Sequence, residues 1–141
     1  MSLVYWDTMI FAYLLEGNAE FGNQSRAAYE AITRKGDTIC TSVFTVGELL
    51  VLPKKKGDHR IISAIQGFMQ GGEVELLPFT INTAVLYSEV RAENKLKAAD
   101  AIHVATAIAA HAIIFLTNDK DLQRQNIRGI PYVIGLDGKY F

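Results

Sequence analysis

Four acidic residues stand in the most apolar parts of this chain. The only charged residue across 2–15 is Asp7, across 38–52 it is Glu48, and across 98–118 it is Asp100; Asp119 follows that last stretch. An isolated carboxylate in apolar surroundings is costly and tends to take up a proton. Such groups persist when paired, hydrogen-bonded or bound to a cation. Three or four converging carboxylates repel one another unless a cation lies between them, and hard oxygen ligands without Cys select Mg²⁺ or Mn²⁺. An ion so held polarises a phosphoryl oxygen and lowers the pKa of bound water, which suits phosphodiester hydrolysis. Taken singly, the acids have simpler roles. Asp7 and Asp119 could cap the helices that follow them, Asp100 could face a helix dipole, and Glu48 could be a solvated helix residue. The reading as one site rests on all four together.

The acids need elements to bring them together. Residues 3–6 read as a short apolar strand, followed by a helical pattern over 9–15 that Gly17-Asn18 stops. Asn23 is placed to cap a helix over 24–35, with Arg34 and Lys35 in its last turn and Gly36 beyond it. A β-like run covers 38–41. Ser42 can cap a helix over 43–52 that Pro53 ends, leaving Lys54-Lys55-Lys56-Gly57 as a basic loop. Asp58 can cap a helix whose Ile61, Ile62, Ile65, Phe68 and Met69 share one face, ended by Gly71-Gly72. A strand over 74–79, helices over 82–94 and 97–111, an apolar strand over 113–116, a short helix over 119–125 and a strand over 132–134 follow.

Strands alternating with helices predict an α/β fold: a single three-layer α/β/α domain over residues 1–141 with a central, mainly parallel sheet. The runs 3–6 and 113–116 are apolar on both faces and belong at its centre. Ligands in such folds bind beyond the C-terminal ends of the strands. Asp7 and Asp119 each follow a central strand at that edge, and Glu48 and Asp100 lie on helices that could lean over it.

Asp7-Thr8 after the first strand, Thr45-Val46-Gly47-Glu48-Leu49, Lys97-Ala98-Ala99-Asp100-Ala101 and Leu116-Thr117-Asn118-Asp119 come in a fixed order along the chain. In that order and spacing the chain resembles the PIN-domain family, and within it the small VapC-type toxins of prokaryotic toxin–antitoxin pairs. The resemblance spans essentially the whole chain. It implies a metal-dependent endoribonuclease with Asp7, Glu48, Asp100 and Asp119 around Mg²⁺ or Mn²⁺, a 5′-phosphate product, an antitoxin partner and a homodimer. Where the family often has Asn or Ser two residues after the first acid, this chain has Met9. Asp121 would be a secondary or water-mediated ligand. Thr117 and Asn118 are candidates to orient a carboxylate or water, or are ordinary strand-end and turn residues.

Lys54, Lys55, Lys56, His59 and Arg60 form the densest basic cluster, either a solvated surface or a grip on RNA phosphates beside the acids. Arg91, Lys95 and Lys97 form a second basic group near Asp100. His103 shares a helical face with Asp100, where it could touch the site or be a core histidine with one hydrogen bond. His111 reads as a partner of its helix's C-terminal dipole. Tyr5, Trp6, Phe11 and Tyr13 read as core. No GxGxxG, P-loop, HExxH or serine-elbow pattern occurs.

Composition bounds the function. With 141 residues, Lys+Arg 14, Asp+Glu 15, net charge −1 and half the residues apolar, the chain is neither a basic nucleic-acid coat nor disordered. The single cysteine, Cys40, excludes an intrachain disulfide and a Cys-based zinc site, and points to the cytoplasm. The apolar stretches 3–15 and 101–117 are too short or too interrupted for a signal peptide or a membrane span. The apolar faces of helices 9–15 and 58–70 suggest more surface than one small core covers, and hence a symmetric dimer. The alternatives are a phosphatase or a DNA-directed nuclease using the same acids, or a non-catalytic binding module. A phospho-receiver is disfavoured, because it needs paired acids after the first strand and only Asp7 is there.

Overall fold

The computed structural model describes residues 1–138. Twelve elements follow in order among these residues: β1 (Leu3–Trp6), α1 (Thr8–Glu16), α2 (Gly22–Arg34), β2 (Thr38–Ser42), α3 (Val43–Lys56), α4 (His59–Gln70), β3 (Val74–Leu77), α5 (Ile81–Glu93), α6 (Ala98–Ala109), β4 (Ile114–Leu116), α7 (Lys120–Arg124) and β5 (Tyr132–Ile134). The strands form one sheet in the order β3-β2-β1-β4-β5. All four ladders are parallel. As their composition requires, β1 is central and β4 lies inside the sheet.

Alternation along the strands sorts the core into two layers. Val4, Trp6, Ile39, Val74 and Leu116 face a cluster built by Ile10, Phe11, Ala28, Ile32, Leu49, Ile65 and Met69 from α1 to α4. Tyr5, Cys40 and Phe115 face the opposite cluster, with Val90 of α5, Ala101, Val104 and Ala107 of α6, and Leu122 of α7. The small alanines of α6 let that helix lie close on the sheet. The arrangement is the three-layer α/β/α sandwich expected, with every ladder parallel.

Two local expectations are corrected. The helix 43–52 does not stop at Pro53. Instead α3 continues to Lys56, because the ring removes only one N–H and Gly57 then takes φ 65°, which lets its own N–H and that of Asp58 close on the last carbonyls. The lysines therefore occupy the last helical turn, where the macrodipole favours them, and not a loop. Asn23 does not cap α2. The side chain of Asn18 accepts the N–H groups of Glu20 and Phe21 at 2.9 and 2.8 Å and turns the chain into a helix that has already begun at Gly22. The apolar faces of α1 and α4 give Ile10, Phe11, Ile65 and Met69 to the core, while Leu14, Leu15 and Phe68 stay half-buried against it. Exposed apolar side chains also gather on α3 (Val43, Phe44, Val51, Leu52) and around the start of α5 (Phe79, Ile81, Val85). The stretch 101–117 is α6 followed by β4, and among the described residues no helix is long and apolar enough to cross a membrane.

Candidate active site

Parallel pairing brings the C-terminal ends of β1, β2 and β4 to one edge. Beyond β1 lies Asp7, whose N–H bonds the Leu116 carbonyl at 2.9 Å and so extends the β1–β4 ladder. Asp7 is 4% exposed. Its Oδ1 accepts the Thr8 N–H at 2.8 Å, which makes it the cap of α1, and its Oδ2 accepts the Thr117 hydroxyl at 2.7 Å. Thr117, just past β4, also accepts the N–H of Asp119 at 3.1 Å. One buried hydroxyl thus ties two of the four acids together.

Asp119 is half-buried, and its Oδ1 accepts the N–H groups of Asp121 and Leu122 at 2.9 and 3.2 Å, capping α7. Asp100 lies in the first turn of α6. Burial and then the charges of Asp7 and Asp119 push its carboxyl above the ordinary carboxylate range, against the opposing pull of His103 and Lys97. Burial likewise raises Asp7, with His103, Thr117 and Thr8 opposing and Glu48 adding to the rise. Asp7, Asp100 and Asp119 therefore share one electrostatic neighbourhood.

Glu48 comes from the second turn of α3. Its Oε1 takes two short hydrogen bonds, from the Thr8 hydroxyl and from His103 Nε2, each 2.6 Å. Burial would raise its pKa. The hydrogen bonds from His103 and Thr8 outweigh that and hold the group below its ordinary value.

His103 is the residue whose role the sequence reading understated. It is 2% exposed, as a core histidine would be, but it bonds on both sides: Nδ1 meets the Tyr5 hydroxyl at 2.6 Å and Nε2 meets Glu48. Nε2 also lies 3.8 Å from Asp7 Oδ1 and 3.3 Å from the Thr8 hydroxyl. Its signal was its place three residues after Asp100, on the same helical face. Tyr5 is core, as expected, yet its hydroxyl belongs to this network and also accepts the Ser42 N–H at 3.1 Å.

The remaining candidates divide. Asn118 turns away from the acids, and its side-chain oxygen accepts the Leu136 N–H at 3.4 Å. Asp121 is exposed and pairs with Arg124 at 2.5 Å. Met9 places its sulfur 3.6 Å from the Thr117 hydroxyl, where it packs without adding a strong hydrogen-bonding group. Lys54, Lys55, Lys56 and Arg60 are all exposed. Lys54 follows Glu48 by six residues on one helix, about 9 Å along its axis.

The donor chemistry suits a hard divalent cation, because the side chains at this edge are carboxylates with no thiolate among them, and burial together with the charges of Asp7 and Asp119 raises Asp100. Among the described residues, however, no three His, Cys, Asp or Glu side chains are drawn together closely enough to hold an ion as placed. Asp7 and Asp119 spend carboxylate oxygens on helix caps, so the simpler roles read from the sequence are also true.

This fold and this edge define the family. The PIN-domain family model matches residues 4–127, and the chain belongs to the PIN-domain family. Solved structures with the same fold come from toxin–antitoxin systems. VapBC2 from Rickettsia felis, bound to a promoter DNA fragment, is 21% identical with a TM-score of 0.77, over 94% of this chain and 98% of that one. A toxin–antitoxin complex from Klebsiella pneumoniae is 27% identical with a TM-score of 0.65, over 93% and 99%. VapC20 from Mycobacterium tuberculosis, described as a sarcin–ricin-loop-cleaving toxin, is 18% identical with a TM-score of 0.70, over 85% and 92%. No curated protein matches the chain in sequence.

Proposed function

We propose that residues 1–141 form one nuclease unit that hydrolyses RNA phosphodiester bonds with Mg²⁺ or Mn²⁺, and that the chain is the toxin of a cytoplasmic toxin–antitoxin pair. The observation that carries this reading is the gathering of Asp7, Asp100 and Asp119 at one edge of a PIN fold, with Glu48 reaching towards Asp7 from α3. Asp7, Asp100 and Asp119 would hold the cation, and Glu48 would join them directly or through water. The ion supplies charge stabilisation at the phosphoryl group and a lower pKa for water.

The chain's own residues do the rest. Thr117 fixes Asp7 and the Asp119 backbone relative to each other. Lys97 offsets part of the negative charge felt by Asp100. Lys54, Lys55, Lys56 and Arg60 take up backbone phosphates that the acids alone would repel. The toxin–antitoxin complexes among the similar structures support an antitoxin partner. The exposed Phe79, Ile81 and Val85 support a homodimer.

The test is to incubate the chain with single-stranded RNA, DNA of the same sequence and a small phosphate ester, with Mn²⁺, with Mg²⁺ and with EDTA. RNA cleavage that needs the ion is the expected result. Faster cleavage of DNA or of the ester would move the assignment to those substrates. A Mn²⁺-soaked crystal with no ion among the acids, and no cleavage, would make the chain a binding module.

A further inference from the structure

A buried polar chain runs from the Ser42 N–H through the Tyr5 hydroxyl and the His103 ring to Glu48. Ser42 N–H donates to the Tyr5 oxygen at 3.1 Å, and the Tyr5 hydroxyl lies 2.6 Å from His103 Nδ1, within reach to donate to it. On the other side of the ring Nε2 lies 2.6 Å from Glu48 Oε1, where an Nε2–H can donate to the carboxylate oxygen. A Tyr5 hydroxyl donating to Nδ1 and a Glu48 oxygen accepting at Nε2 are together compatible with one neutral tautomer, Nε2–H. Phe44 and Tyr5 pack around the ring, with centroids 5.6 and 5.8 Å from it, and hold it in this orientation.

Two consequences follow for Glu48. Its Oε1 is spoken for twice, by His103 and by Thr8. Among the described residues none donates a hydrogen bond to Oε2. His103 itself has no ring nitrogen left over for a metal ion, since each already faces a partner. It stands behind the acids and not among the ligands.

We propose that His103 is a positioning residue of the acidic site: its tautomer is set by Tyr5, its Nε2–H pins Oε1 of Glu48, and Oε2 is left as the oxygen Glu48 can offer to a divalent cation. This rests on the reading of the site as a metal-dependent nuclease. A bond to the group behind a metal ligand fixes its orientation, and losing such a bond typically costs about 10–100-fold in metal affinity or activity.

The experiment has two readouts besides turnover. Long-range ¹H–¹⁵N spectra of the histidine-labelled full chain report the tautomer of His103, with the Nε2–H form expected. Mn²⁺ titrations followed by electron paramagnetic resonance report affinity. His103→Leu should weaken Mn²⁺ binding about 10-fold or more, while His103→Gln, whose amide keeps a donor facing Glu48, should stay within a few-fold of the parent. Tyr5→Phe releases the tautomer and should lose affinity to an intermediate degree. In the cleavage assay kcat should fall while KM for RNA stays put. If circular dichroism shows that His103→Leu does not fold, the Gln and Tyr5→Phe variants carry the comparison. An Nδ1–H tautomer in the parent overturns the proposal, as does parental Mn²⁺ affinity in either His103→Leu or Tyr5→Phe. A parent chain with the expected tautomer and His103-dependent Mn²⁺ binding that leaves RNA intact supports the positioning role and overturns the nuclease reading. A parent that binds no Mn²⁺ overturns both.

Discussion

The Thr117 hydroxyl donates to Asp7 Oδ2 at 2.7 Å across 110 residues of chain. The same oxygen accepts the Asp119 N–H. Thr117→Val keeps the shape and removes both bonds, leaving a buried carboxylate oxygen and a backbone N–H short of partners, a loss of roughly 1–3 kcal/mol. Thr117→Ser keeps the hydroxyl and should lose much less. Urea unfolding of the two variants checks this, and equal midpoints would mean that the hydroxyl contributes nothing.

Asp7→Asn removes one charge from the crowded edge while keeping an acceptor for Thr8 N–H. It should abolish cleavage yet leave the metal-free protein as stable as the parent or more so. It should also lose most of the melting-temperature gain that Mn²⁺ gives the parent by binding only the folded state. Thermal melts with and without Mn²⁺ measure both effects. Asp58→Asn, a cap of α4 through Ile61 N–H, should keep activity and the Mn²⁺ gain.

Asp119 and Asp121 separate by substitution. Asp119→Asn keeps an acceptor for the α7 cap, so its stability should hold while cleavage falls steeply. Asp121→Asn touches only an exposed pair with Arg124, and such pairs contribute about 0–1 kcal/mol. It should cleave RNA at close to the parental rate, and a large loss of rate there would make Asp121 the acid of the site.

The pH dependence of the metal-free protein follows from the two raised acids. Asp7 and Asp100 have folded values above their ordinary one, about 3.9 for Asp in an unfolded chain. A raised group contributes stability that is fully present below the unfolded value and is lost as pH rises through the folded one. Glu48, held low, works the other way and loses its contribution only as pH falls through its own lowered value. Melting temperatures in EDTA should therefore rise as pH falls through the raised values of Asp7 and Asp100 towards the ordinary carboxylate range, and the slope should flatten in Asp7→Asn. A steady decline over that window would contradict the raised values.

The lysine turn gives a salt test. Replacing Lys54, Lys55 and Lys56 together by Ala should weaken RNA binding and flatten its dependence on salt, by up to about 0.7 in log–log slope for each single-strand phosphate that the variant no longer neutralises. Mn²⁺ binding should be unaffected. Because these lysines also face the C-terminal dipole of α3, a small drop in stability is expected beside the binding effect.

The parts of this molecule that were legible in its sequence are those where one residue's type constrains its neighbours. Apolar runs at 3–6 and 113–116 marked the buried strands, and charges isolated in apolar stretches marked the acids. Alternation past β4 puts Thr117 and Asn118 on opposite faces, which already separates the residue that reaches Asp7 from the one that does not. His103 was harder. A buried histidine looks the same in sequence whether its ring meets core or carboxylate, and the difference lies in how α3 brings Glu48 against α6. Pro53 misled because a proline in a helix's last turns gives up a single hydrogen bond, and Gly57 restores an orderly end two turns beyond Leu49.

The sheet order carries a consequence for how this protein comes into being. β1, β2 and β3 are all present once residue 77 has been synthesised, but β1 gains its second neighbour only when residues 114–116 arrive. Until then β1 is an edge strand with one side of its ladder unpaired, and Asp7 lacks Leu116 as a backbone partner and Thr117 as a donor. The acids meet only after residue 119 has been synthesised. Insertion of the three-residue strand β4 therefore gives β1 its second neighbour and Asp7 its two partners in one step.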